Sequence, residues 1–221
     1  GTGPKAGGPL YLERFVREGA GDPGPGAPAD AAGKPVDLKA PRIARKSLDQ
    51  AVKTLAKQGH EWLLPVAERA AILERAAEAI DGGAKALQKL KGAGDAKAGA
   101  AYLRVYAAQA ADELAAPRQM PGPTGERNEL SFWPRGTVAC LAAEGASEVS
   151  QLSALIAQAG AALAAGNTAL LWAEVDGAAA AVAKVLQDAG VPGYAVQAVE
   201  AGKDAGLEAL LTAEPVHLTA F

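Results

Sequence analysis

The chain has 221 residues, with 22 Lys and Arg against 25 Asp and Glu, a formal net charge of −3, and 49% hydrophobic residues of which few are aromatic. Such a balance carries no electrostatic footprint for nucleic acid or an anionic membrane surface. The single Cys140 excludes an internal disulfide framework and a cysteine-based zinc site, and it suits a reducing cytoplasm. The Ala-rich stretches are interrupted by Gln, Lys, Glu or Gly before they reach the length of a transmembrane helix, and no signal-peptide pattern opens the chain.

The first stretch, GTGPKAGGP (1–9), is rich in glycine and proline and holds one lysine. A phosphate-binding P-loop needs Ser or Thr after its lysine and a strand before it. Lys5 is followed by Ala6 and Gly7, so the stretch reads as a tail or as the end of a unit that begins upstream. LYLERFV (10–16) follows, an arm with apolar Leu10, Leu12, Phe15 and Val16 around Tyr11. It is too short to hold a helix alone, so it docks or frays. Residues 17–43 read as a linker dominated by Gly, Pro, Ala and Asp, with Val36 and Leu38 as the sole large apolar residues of 17–41.

A helical segment is expected over 44–120. Ser47 with Gln50 has capping-box spacing, and Leu48, Val52 and Leu55 fall on one face of the helix it would start. A second helix is expected from Pro65 to about Leu90, with Val66, Ala70, Leu73 and Ala77 as its stripe and Gly82-Gly83 as a possible break. A third spans about 98–115, with Ala100, Leu103, Ala107, Ala110 and Leu114 inward.

Over 121–221 the pattern changes. TVACLAA (137–143), TALLW (168–172), YAVQAV (194–199) and VHLTAF (216–221) are short apolar runs. Between them lie helical patterns at 147–165 (capped at Ser147), at 177–189 and from 204. Strands alternating with helices in this way predict βαβ units. The expected fold is α/β, a Rossmann-like open parallel sheet of four to five strands with helices on both faces. ELSFWP (129–134) stands outside the rhythm as a separate strand or hairpin arm. Its Phe132 and Trp133 suit a contact surface in a chain so poor in aromatics.

Several of these stretches resemble the aldehyde dehydrogenase family. PGPTGERNELSFWPRGTVACLAAEG is similar to the entry to that family's Rossmann domain, and ALAAGNTALLWAE to its Ala-Leu-Ala-Ala-Gly-Asn-Thr stretch. DAGVPGYAVQAV and LLTAEPVHLTAF resemble its third strand and the strand that precedes Phe-Thr-Gly-Ser. GTGPKAGGPLYLERF resembles the closing segment of a catalytic domain of the proline utilization A type. The resemblance covers residues 1–16 and about 44–221, and only GTGPKAGGP and PGPTGERN are specific to that type. It implies the tail of one aldehyde dehydrogenase domain followed by the front of a second, degenerate one.

What the resemblance implies about chemistry is largely absence. An aldehyde dehydrogenase needs a cysteine nucleophile, an oxyanion-holding Asn and a Glu base. The first and last have no counterpart here, Leu141–Gly145 holds no Asn, and Cys140 lies inside a strand. The ribose-binding lysine would stand in the segment Leu170–Glu174, which has none and holds Trp172 instead; the glycine-rich turn is reduced to Gly202 and Gly206, with Glu200 before them. His60 and His217 lack ligand spacing, so no metal is expected.

No catalytic residue and no cofactor is therefore expected for this piece, with Gly202 and Gly206 as the alternative NAD or anion site. FAD and NAD belong, by resemblance, to a parent that converts proline to glutamate. Ala6 and Gly7 would anchor the carboxylate of glutamate semialdehyde. The expected partner is the catalytic aldehyde dehydrogenase domain of the same polypeptide or of a second subunit, met through Leu10, Tyr11, Phe15, Phe132 and Trp133. The implied role is to brace that module and help enclose the semialdehyde channel.

Overall fold

The computed structural model describes residues 42–58, 62, 64–90, 92–142, 150–203, 205–214 and 216–220. The expected tail, arm and residues 17–41 of the linker lie outside them. Arg42–Ile43, placed by sequence at the linker's end, form strand β1. Ile43 is fully buried.

Helix α1 covers Arg45–Gln58. It starts two residues before the expected cap, because Ser47 is inside the helix and its Oγ accepts a hydrogen bond from the Glu200 amide at 3.1 Å. Helix α2 covers Val66–Asp81, with Pro65 preceding its first turn. It ends at Gly82-Gly83, where Gly83 takes φ +75°, and turns rather than helix continue toward Leu90. A 3-10 turn at Ala93–Asp95 leads into α3, Ala96–Glu113.

Four strands form the parallel sheet: β4 (Thr137–Ala142), β5 (Thr168–Ala173), β6 (Val196–Val199) and β8 (Val216–Ala220). Their spatial order is β6-β5-β4-β8. The first strand of the series is thus internal and the fourth lies on its far side, the doubly wound arrangement in which strand order reverses beside the first strand. Helices α4 (Gln151–Ala164) and α5 (Ala178–Asp188) make the β4–β5 and β5–β6 crossovers. The cap of α4 is Ser150, not Ser147: its Oγ accepts from the Ser153 amide at 3.3 Å. Ser150→Ala is expected to lower stability by about 1 kcal/mol, readable as a shifted urea midpoint with unchanged slope. The expected helix from 204 is shorter; β7 (Ala205–Gly206) precedes α6 (Glu208–Leu211).

Strand alternation sorts the core into two layers. Val138, Cys140 and Ala142 of β4, with Ala169, Leu171 and Ala173 of β5, share one cluster with α2–α5. Ala139 and Leu141, with Leu170 and Trp172, share the other with Ile43, α1 and α6. The sheet therefore has helices on both faces. Small residues let α3 and α4 approach closely: a Cβ on Gly99 would lie 2.8 Å from Ile156 Cβ.

Residues 116–132 form a unit of their own, separate from the body that contains the sheet. It is a hairpin of β2 (Arg118–Met120) and β3 (Asn128–Leu130), paired antiparallel with Met120 opposite Asn128. The strand expected at ELSFWP ends at Leu130; β2 carries no alternating apolar pattern and was not legible. Among the described residues no helix is long and apolar enough to cross a membrane.

Candidate functional site at the carboxyl edge of the sheet

In an open α/β sheet the ligand crevice lies outside the carboxyl ends of the strands, where strand order reverses. Here that edge is formed by the ends of β4, β5 and β6. Cys140 is fully buried within β4, level with Leu171. Burial pushes its thiol up to about 12, so the thiolate needed of a nucleophile does not form near neutrality.

Trp172 occupies β5 between Leu141 and Val199 of the neighbouring strands and is 1% exposed. It faces the α1–α6 layer, where its indole Nε1 has no hydrogen-bond partner among the described residues. Sequence placed this position in the ribose-binding segment; it is a core position of a strand.

The turn after β6 holds Gly202 and, beyond it, Gly206. The Gly202 amide donates to the Arg42 carbonyl at 3.1 Å, and the Ala44 amide donates to the Glu200 carbonyl at 3.0 Å. Ile43 bridges Ala201, and β1 pairs antiparallel with β7, setting Arg42 opposite Gly206. A Cβ on Gly202 would lie 2.4 Å from the Ala44 amide nitrogen, whereas one on Gly206 would meet nothing closer than 3.7 Å. The two glycines thus lie together beside β1, but only the first is in a place where a side chain cannot fit.

Helix α4 ties the remaining loops to this edge. The Gln158 Nε2 donates to the Leu141 carbonyl at 3.0 Å, and the Gln151 Oε1 accepts from the Val175 amide at 3.2 Å. These contacts spend polar side chains on the scaffold. At the opposite edge, a groove of about 250 Å³ lies between Tyr106, Glu113 and Leu114 of α3 and its end, and Ala161, Ala164 and Ala165 at the end of α4.

Three structural residues escaped the sequence reading. The Asn167 Oδ1 accepts from the amides of Arg135 (2.7 Å) and Gly136 (3.1 Å), fixing the entry to β4. The buried Arg69 donates from Nε to the Ala164 carbonyl at 3.1 Å and from Nη1 to the Leu64 carbonyl. Arg75 donates from Nε to the Ala189 carbonyl at 2.9 Å. Two arginines of α2 thus cap the carboxyl ends of α4 and α5, where a cation is favoured. The legible signal was Arg69 in phase with the buried Ile72, Leu73 and Ala76.

Phe132 and Trp133 are 55% and 78% exposed. Ala6, Gly7, Leu10, Tyr11 and Phe15 lie outside the described residues, as does His60. Among the described residues no group of three or more His, Cys, Asp or Glu could hold a metal ion.

The family model described as "Aldehyde dehydrogenase family" matches residues 29–221. The chain belongs to the aldehyde dehydrogenase family. Within that family it is similar to the bifunctional protein PutA of Klebsiella aerogenes, at 33% identity over 157 residues, 71% of this chain and 9% of that protein. PutA of Escherichia coli K12 is 27% identical over 165 residues, again 71% of this chain and 9% of the relative. The crystal structure of the D778Y variant of Bradyrhizobium japonicum PutA matches with a TM-score of 0.68 at 28% identity, covering 84% of this chain and 20% of that one. The chain is thus a PutA-like aldehyde dehydrogenase domain that spans about a tenth of the curated relatives' length.

Proposed function

We propose that this domain is a non-catalytic structural and interaction module of a bifunctional proline-to-glutamate enzyme. It braces the catalytic aldehyde dehydrogenase domain and helps enclose the channel that carries the semialdehyde. The observation that carries the reading is Trp172. The strand position expected to supply a ribose-binding lysine instead holds a buried indole, which cannot turn toward a cofactor without leaving the core. Cys140, buried with its thiol raised, supplies no nucleophile itself. The use of the Gly202 amide by Arg42 supports the same reading. Exposed Phe132 and Trp133 supply a candidate contact for the partner domain.

The alternative, a residual NAD or anion module at Gly202 and Gly206, needs an amide that is already bonded. The test is direct. Purified chain given glutamate semialdehyde and NAD is expected to form no NADH above a protein-free control, and Cys140→Ser is expected to change nothing. Native Cys140 should also resist alkylation by iodoacetamide at pH 8 and react fully in denaturant. NADH formation would overturn the reading, and its loss on Cys140→Ser would assign the activity to the buried thiol.

A further inference from the structure

The turn after β6 is closed by the chain's own backbone, and we infer that β1 is a built-in occupant of that turn, for which Gly202 is required. Four features converge on it. Two backbone hydrogen bonds cross between 42–44 and 200–202, one in each direction: Gly202 N–H to the Arg42 carbonyl and Ala44 N–H to the Glu200 carbonyl. The β1–β7 ladder continues the contact to Ala205 and Gly206. The Glu200 amide, one of the free donors a turn could offer an anion, is taken by the Ser47 Oγ. Ile43 pins the segment from below, fully buried against the layer that holds Leu48, Leu55 and Trp172.

The glycine itself decides which partner the turn is shaped for. A glycine kept for a phosphate needs open space in front of its amide. At Gly202 the space a Cβ would occupy is filled by protein backbone, with Ala44 N at 2.4 Å, Ala44 Cα at 2.5 Å and the Ile43 carbonyl carbon at 2.7 Å. These are backbone atoms, so no rotamer change relieves the clash. The glycine is explained by strand approach. The inference concerns the turn alone and does not depend on the bracing role: the strap could be seated in a domain that braces nothing.

Backbone amide exchange on the full chain tests it. In Gly202→Ala the added methyl displaces the strap, so the Ala44 and Gly202 amides are expected to exchange at least about tenfold faster. Gly206→Ala, with ordinary contacts only, is expected to leave them unchanged. Ser47→Ala covers the case in which Gly202→Ala fails to fold; it is expected to accelerate exchange at Glu200 while the β5 amides stay protected. In the wild-type chain, NAD and inorganic pyrophosphate, each at millimolar concentration, are expected to leave all of these rates unaltered. Unchanged exchange in Gly202→Ala, or unchanged Glu200 exchange in Ser47→Ala where that variant is the one read, would overturn the inference. Protection of the Gly202 amide by either anion would overturn it too, by showing that the turn still takes a phosphate.

Discussion

Trp172→Lys is expected to unfold the domain rather than to restore a ribose-binding side chain. Removing a buried tryptophan typically costs about 3–5 kcal/mol, and burying an ammonium without a partner adds several more. The sum reaches the whole stability of an ordinary domain, about 5–15 kcal/mol. The position offers lysine no way out, since Trp172 is flanked on both sides by strands and roofed by α1 and α6. Trp172→Phe is the control and should remain folded with a lowered urea midpoint. Near-ultraviolet circular dichroism and urea titration report both outcomes. A folded, cooperative Trp172→Lys protein that binds NAD would show that the strand can present this side chain to a ligand, and the non-catalytic reading would fail with it.

The second large effect is expected at the exposed aromatics. Phe132→Ser with Trp133→Thr, made in the longer bifunctional polypeptide that the proposed function calls for, should weaken association and lengthen the lag before glutamate accumulates. Each active site assayed alone should change little. An aromatic anchor at the centre of an interface contributes about 2 kcal/mol or more, which corresponds to roughly 30-fold in affinity. Neither residue supports a core in this chain, since both stand more than half exposed. Stability of the isolated domain is therefore expected to hold, separating lost contact from lost fold. Unchanged assembly together with an unchanged lag would remove the docking role.

The sheet was legible because its strands are buried on both faces and read as unbroken apolar runs set at regular spacing. TVACLA and TALLWA fell where they were expected to within a residue. Helix ends were less legible, for a physical reason visible at Ser47 and Ser150. Both serines carry a capping hydroxyl, but tertiary structure gives the first to the Glu200 amide, 153 positions away in sequence. Only the second caps its own helix. The glycine turn was legible as a motif and illegible as a site. Nothing local to AGKDAG reveals that a strand from the far end of the domain runs across it. The Arg69 and Arg75 contacts have the same character, since their acceptors are carbonyls whose availability depends on where α4 and α5 stop.

Those two arginines also set a timetable. Their acceptors lie 95 and 114 positions further along the chain. At a synthesis rate of about 5–20 residues per second, α2 waits on the order of ten seconds for the helix ends it will fasten. Until β4 has been made, the stripe of Ile72, Leu73, Ala76 and Ile80 has α3 to lean on but no sheet layer beneath it. The α2–α3 pair is therefore made before every strand of the parallel sheet, and each arginine is fastened only once the crossover helix it caps has ended.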